Sequence, residues 1–312
     1  MMKHISIEGS SKTVSQLIMG GDHFSESKYD LVSSLLDTFL ANGGNTVDTA
    51  HQYGEDGASE KAIGRWMKER GNREQVVILT KGAHHDETGR RVNPQAITHD
   101  ITESLKRLQT DYLDMWALHR DDPNVPVEVV IDVLNEHMNA GRIRAIGASN
   151  WSYERIQAAN EYARSQGMKG FTFSSTNLSL AKMIVPRWEG CVAADEATCA
   201  WHAKTGLPLL SWSSLGGGFM AGRFSPEQRD NEEMVRTYYS EANWQRLERT
   251  KELAAQKGIP FVQLALAYVL HQPFPTCALV AAYSAQELHN NLAATDTTLS
   301  PEEVRWLEYG EQ

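Results

Sequence analysis

Three apolar runs in this sequence stop at an ionisable residue. VDTAHQYG carries Asp48 and, five residues on, Tyr53; VVILTKG reaches Lys81; LDMWALHRDDP reaches His119. Burying such a group without a partner is costly, so an apolar strand that finishes in one marks a candidate site. Taken singly, each is more often a solvated or salt-bridged strand end. Taken together they supply an acid, a phenol, an amine and an imidazole, the groups that pass protons and stabilise developing charge. Packing gives no reason for that coincidence.

Side chains so far apart in sequence act together only if a frame gathers their strand ends. Short β-branched or apolar runs do recur, at 17–20, 46–48, 76–81, 112–119, 143–149, 171–177, 208–213 and 277–282. Helix-length amphipathic segments lie between them, for example 33–42, 58–70, 94–108 and 126–140. Asn93-Pro94 reads as an N-cap followed by the first helical position, Ser152 as another cap, and Gly43-Gly44 and Gly141 as stops. Eight strand–helix units in a row predict an α/β fold, a closed (β/α)8 TIM barrel, with an open doubly wound sheet as the other arrangement. In such a barrel, catalytic groups project from the carboxyl ends of the strands. A hairpin before Ser15, the polar stretch 224–243 and the segment after Leu299 read as an N-terminal hairpin and extra helical segments. No linker or short repeat interrupts the alternation, so residues 1–312 are expected to form one domain.

Composition narrows the function classes. An apolar fraction of 41% suffices for a large core, and a net charge of −10 leaves nothing to neutralise nucleic-acid phosphates. The opening MMKHISIEGSSK lacks the apolar centre of a signal peptide, and runs such as 264–270 are too short to span a bilayer. Three cysteines, Cys191, Cys199 and Cys277, without C-x-x-C spacing fit free thiols rather than a disulfide framework or structural zinc. A cytoplasmic protein is expected, with no nucleic-acid or membrane partner; oligomeric state is not written in the sequence. His84-His85-Asp86 lacks a third ligand at metal spacing, so no metal site is expected.

The Asp-Tyr-Lys-His set, in this order and on these strand ends, resembles the catalytic tetrad of the aldo-keto reductase family. GGNTVDTAHQYGEDGASEKAIGRWMKE is similar to that family's most specific stretch, and the likeness continues through GASNW at 147–151, WSSLGGGFMAGRF at 212–224 and SAQELHNNLAA at 284–294. The family binds its dinucleotide on a barrel without a Rossmann fingerprint, and no G-x-G-x-x-G occurs here. The resemblance implies an NAD(P)-dependent enzyme that moves a hydride between nicotinamide and a carbonyl or alcohol carbon of an aldehyde, ketone or sugar-like substrate. Tyr53 is then the proton donor, or the base in oxidation. Lys81 is expected to lower its pKa from the ordinary ~10, Asp48 to hold Lys81, and His119 to hydrogen-bond the substrate oxygen. A regulatory or scaffold subunit with incidental catalysis is the alternative. Loss of a tetrad member would favour it, and all four are present.

The resemblance also maps a cofactor site. Ser149 and Asn150 match the pair that holds the nicotinamide carboxamide, a role compatible with local capping of the next helix. Ser175 stands where many members carry a glutamine, and Trp212 either stacks on the nicotinamide or is a plain core aromatic. Ser213, Ser214, Leu215, Gly216, Gly217 and Gly218 resemble the loop that wraps the pyrophosphate, with Arg223 at the following basic position. Tyr283, Glu287, Asn290 and Asn291 complete the set near the adenosine. Glu287 stands where an arginine or glutamine often meets the 2′-phosphate, and no Lys or Arg lies between Lys257 and Arg305. A carboxylate accepts hydrogen bonds from ribose hydroxyls and repels phosphate, so the lean is towards NAD(H), with NADP(H) still admitted. Asp22, His84, Arg120, Trp151, Trp188 and also Tyr238 are the candidate pocket residues, a polar and aromatic mixture suited to a hydroxylated carbonyl.

Overall fold

The structure, a computed structural model, describes residues 2–310. Two short antiparallel strands come first, β1 (His4–Ile5) and β2 (Val14–Ser15). Eight parallel strands then close a barrel: β3 (Leu17–Gly20), β4 (Thr46–Asp48), β5 (Val77–Gly82), β6 (Leu113–Leu118), β7 (Ile143–Ser149), β8 (Phe173–Ser175), β9 (Leu209–Ser211) and β10 (Thr276–Val280). Pairing of β10 with β3 completes the ring and excludes the open sheet. β8 is shorter than the expected 171–177; beyond it Asn177 keeps an isolated bridge to Trp212 and donates its N–H to the Val192 carbonyl in the following loop.

Helices wrap the barrel: α1 (Tyr29–Ala41), α2 (Ala58–Arg70), α3 (Pro94–Arg107), α4 (Val127–Asn139), α5 (Tyr153–Ser165), α6 (Glu196–Thr205), α7 (Glu232–Tyr238), α8 (Glu241–Lys257), α9 (Phe261–Leu270), α10 (Ala285–Ala293) and α11 (Pro301–Tyr309). The Asn93 side chain accepts the Ala96 N–H at 2.9 Å and Ser152 accepts that of Arg155 at 3.3 Å, as the capping signals predict. α1 starts at Tyr29 rather than at 33, because Tyr29 and Val32 are buried and a short turn at 26–28 leads into them. The added segments are the hairpin, a 3-10 turn at 216–221, α7 and α11. Among the described residues no single helix is long and apolar enough to cross a membrane.

Side chains alternate across a strand, and here the alternation decides where the chemistry lies. Ile18, Val77, Leu79, Met115, Ala117, Ala145, Phe173, Leu210, Cys277 and Leu279 form one cluster inside the barrel. Ile7 and Val14 of the hairpin segment join that cluster and pack beneath the strands' amino ends. Stepping two residues onward along each lumen-facing row reaches Lys81 from Leu79, His119 from Ala117, Trp212 from Leu210 and Ser175 from Phe173. Every other strand residue, such as Ile78, Trp116 and Ile146, packs outward in the larger strand–helix core. The polar groups therefore gather at the carboxyl-end mouth, above a closed apolar floor.

Candidate active site

Asp48 closes β4, Lys81 sits near the end of β5, and His119 follows β6 directly. Tyr53 reaches the same point from a tight loop in which its N–H donates to Ala50 and its carbonyl accepts from Ser59, at 3.0 and 3.1 Å. The Lys81 ammonium lies 2.5 Å from Asp48 Oδ1 and donates to the Thr49 carbonyl at 2.9 Å and the Tyr53 hydroxyl at 3.4 Å. The Tyr53 and His119 rings meet edge to face, 5.5 Å between centroids. His119 Nδ1 is buried and finds no hydrogen-bond partner among the described residues.

Burial dominates the acid–base character of the group. It pushes the Asp48 carboxyl up to about 6 against the pull of Lys81, and the Tyr53 phenol up to about 12. Lys81 does act downward on Tyr53, as the sequence predicts, but desolvation outweighs it. Burial works against the Lys81 ammonium, yet Asp48 and Tyr53 together raise it above its ordinary value. His119 is held well below the ordinary histidine value by burial, and further by Lys81, Arg120 and the neighbouring imidazoles. At neutral pH the set is thus an ion pair, a protonated phenol and a neutral imidazole.

These four residues line a cavity of about 450 Å³ together with Ser149, Asn150, Trp212, Ser213, Asp22, His84, Arg120 and Trp188. Gln52, His85, Cys191 and residues 279–281 also line it and were not picked out from sequence. Leu279 and Ala281 follow the lumen-facing period of β10, so alternation alone would have found them. Cys191 lies in the long loop after β8, where no period operates.

Trp151 does not line the cavity, contrary to the sequence expectation. Asn150 takes a left-handed φ of 60°, which turns the chain outward after Ser149. Trp151 is consequently buried against Phe171, 5.4 Å away, and donates its indole N–H to the Arg120 carbonyl at 3.2 Å. Tyr238 is likewise buried, beneath the turn at Gly216, where an added Cβ would lie 3.5 Å from its ring. Among the described residues, His51, His99 and Asp100 bring ligand-type atoms within 4.8 Å of one another. Asp100 already engages Arg91 through both carboxylate oxygens and accepts the Ala83 N–H.

From Ser213 at the cavity edge, a chain of contacts runs to α10. Ser213 itself has φ 49°, and Gly216, Gly217 and Gly218 have φ of 58°, 64° and 97°. A Cβ on Gly217 would lie 3.0 Å from the Arg187 guanidinium, and one on Gly218 would lie 2.9 Å from Arg223 Cδ. Arg223 pairs with Glu287 at 3.0 Å, and Glu287 also accepts the Tyr283 N–H at 2.8 Å. The Ser214 hydroxyl turns back to the Ser211 carbonyl, Asn290 accepts from Gln286, and the Asn291 amide donates to the Ala281 carbonyl. At the other end, the Ser149 hydroxyl donates to the Ser175 carbonyl at 2.8 Å, and Asn150 donates to Ser149 and to the His119 carbonyl. Among the described residues the buried Ser175 hydroxyl and Trp212 indole N–H find no partner. Unspent donors beside a glycine turn suit a polar ligand that enters the cavity and continues along this loop.

A sequence profile of the aldo/keto reductase family matches residues 16–309. The chain belongs to this family. As an aldo/keto reductase it is an oxidoreductase that works with a nicotinamide cofactor on carbonyl compounds. It is 30% identical to the aldo-keto reductase ausK of Aspergillus calidoustus over 89% of this chain and 72% of that protein. It is 29% identical to the aldo-keto reductase YhdN of Bacillus subtilis, covering 85% and 79% of the two chains. Norsolorinic acid reductase B of Dothistroma septosporum is 28% identical over 96% of this chain and 78% of its own length.

Proposed function

We propose that the chain, acting as one domain, interconverts a carbonyl compound and its alcohol, with Tyr53 as the group that gives and takes the proton. The observation that carries the reading is the contact of the Tyr53 hydroxyl with Lys81, itself paired with Asp48, inside the cavity that His119 also lines. The chemistry a bound nicotinamide supplies is hydride exchange with the substrate carbon. Negative charge then grows on the substrate oxygen, and Tyr53 donates its proton there. Lys81 stabilises the phenolate that remains, which is the form Tyr53 needs when the reaction runs towards oxidation. Asp48 keeps the ammonium in place, and neutral His119 donates a second hydrogen bond to the same oxygen.

Ser149, Asn150 and Ser175 would hold the nicotinamide end, with Trp212 beside it. Backbone along 213–218 and Arg223 would face the pyrophosphate, and Tyr283, Glu287, Asn290 and Asn291 the adenosine. The carboxylate of Glu287, with no Lys or Arg elsewhere between 258 and 304, supports use of NAD(H) at least as readily as NADP(H). A small-molecule substrate in the cytoplasm is the setting most consistent with the charge and cavity. The alternative of a regulatory subunit is disfavoured by the intact four-residue set. Cofactor-linked turnover of a panel of aldehydes, ketones and their alcohols tests the reading. Consumption of reduced cofactor with a carbonyl partner is expected, and none with any partner would overturn it.

A further inference from the structure

Arg120 is 8% exposed, and among the described residues no carboxylate pairs with it. Its Nε donates to the Glu189 carbonyl at 3.1 Å and one Nη1 hydrogen to the His119 carbonyl at 2.9 Å. A guanidinium has five N–H groups, so three are left, on a cation taken out of water. The nearest acidic residue in sequence, Asp121, is committed to Arg155 through two hydrogen bonds. A buried charge normally meets a counter-charge, because desolvating it alone is expensive. Here the guanidinium lines the catalytic cavity instead.

The residue is also held in position. Its backbone carbonyl accepts the Trp151 indole N–H, and the loop at Gly190 lies directly on its side chain, where a Cβ would approach Cδ to 3.2 Å. Gly190 has φ 71°, so the loop reaches this contact through a conformation that suits glycine. On this side of the cavity the other lining groups, His84, His85, Cys191 and Trp188, bring no negative charge. Of the two carboxylates on the cavity wall, Asp48 is spent on Lys81, and Asp22 lies at the exposed rim beside His23.

We propose that Arg120 is the substrate-anion site: the preferred substrates are aldehydes or ketones that carry a carboxylate, which takes the free guanidinium edge while the carbonyl faces Tyr53 and His119. One unpaired guanidinium matches one negative charge, and its planar fork matches a carboxylate. This rests on the carbonyl-reducing reading of the same cavity.

The test compares kcat/KM for 4-carboxybenzaldehyde and its methyl ester, which share a reacting centre and differ in charge. The parent is expected to prefer the acid by about tenfold or more, chiefly through KM. In Arg120→Met the ratio should collapse towards one, whatever the common level of turnover, and Arg120→Lys should keep part of it. As a readout independent of turnover, benzoate should quench the tryptophan fluorescence of the parent at lower concentration than benzamide, and the difference should vanish in Arg120→Met. Ester and acid reduced equally well by the parent would overturn the anion site while leaving the catalytic reading intact. No turnover of either compound or of any other carbonyl in the panel, with benzoate binding lost in Arg120→Met, would instead remove the catalytic reading and keep the site. Equal binding of benzoate and benzamide to the parent would also overturn it.

Discussion

Lys81 and Asp48 form an ion pair 2.5 Å long in which both side chains are almost wholly buried, at 2% and 4% exposure. Such a pair is less a source of stability than a constraint, because removing one partner strands the other charge. Here it places the Lys81 ammonium 3.4 Å from the Tyr53 hydroxyl.

Lys81→Met should therefore cost about 3–5 kcal/mol of stability above the Asp48 pKa and most of the turnover. The stability deficit should shrink in acid, where Asp48 takes up a proton and is no longer a stranded charge. Melting temperatures of parent and variant at about pH 5 and about pH 8 check this. Equal deficits at both would show that Lys81 does not pair with Asp48 in solution.

The folded Asp48 carboxyl, at about 6, holds its proton more tightly than an unfolded one near 3.8. Its contribution to stability is thus fully present below about 4 and is lost as pH rises through about 6. In the proposed mechanism activity runs the other way, since that mechanism uses the ionised carboxylate to fix Lys81. The kcat/KM for reduction should fall as pH drops below about 6, and Asp48→Asn should abolish that limb along with most of the rate. His119, neutral far into acid, adds no limb near the ordinary histidine value. With Tyr53 at about 12, reduction should show no Tyr53 limb between about pH 7 and about pH 10.

In the proposed reading, Glu287 sets the cofactor preference. Its carboxylate is tied to Arg223 and to the Tyr283 N–H, so it is oriented rather than free to swing away. NAD(H) is expected to be used at least as well as NADP(H), and Glu287→Arg should shift the kcat/KM ratio towards NADP(H) by about tenfold. A parent that strongly prefers NADP(H), with no response to the substitution, would put the 2′ position elsewhere.

Much of this arrangement is legible in the sequence because the barrel obeys a period of two. Once Leu79 and Ala117 face inward, Lys81 and His119 must follow, and glycine and capping signals mark where each strand ends. What escapes is what leaves the period. Trp151 follows a residue in a left-handed conformation, and nothing in GASNW says that Asn150 will adopt one. Cys191 reaches the cavity from the 176–195 loop, whose path is set by contacts such as Asn177 with Val192 rather than by a repeating pattern. The phenol pKa runs opposite to the sequence expectation, upward rather than downward, because the charge beside it can be read from residue types, whereas the depth of burial cannot.

Tyr53→Phe tests the account most directly, since it removes one hydroxyl and leaves the cavity wall otherwise unchanged. The variant should bind reduced cofactor, followed by fluorescence titration, about as tightly as the parent and lose about a hundredfold or more in kcat for carbonyl reduction. Turnover within a few-fold of the parent, with binding intact, would contradict the assignment of Tyr53 as the proton donor.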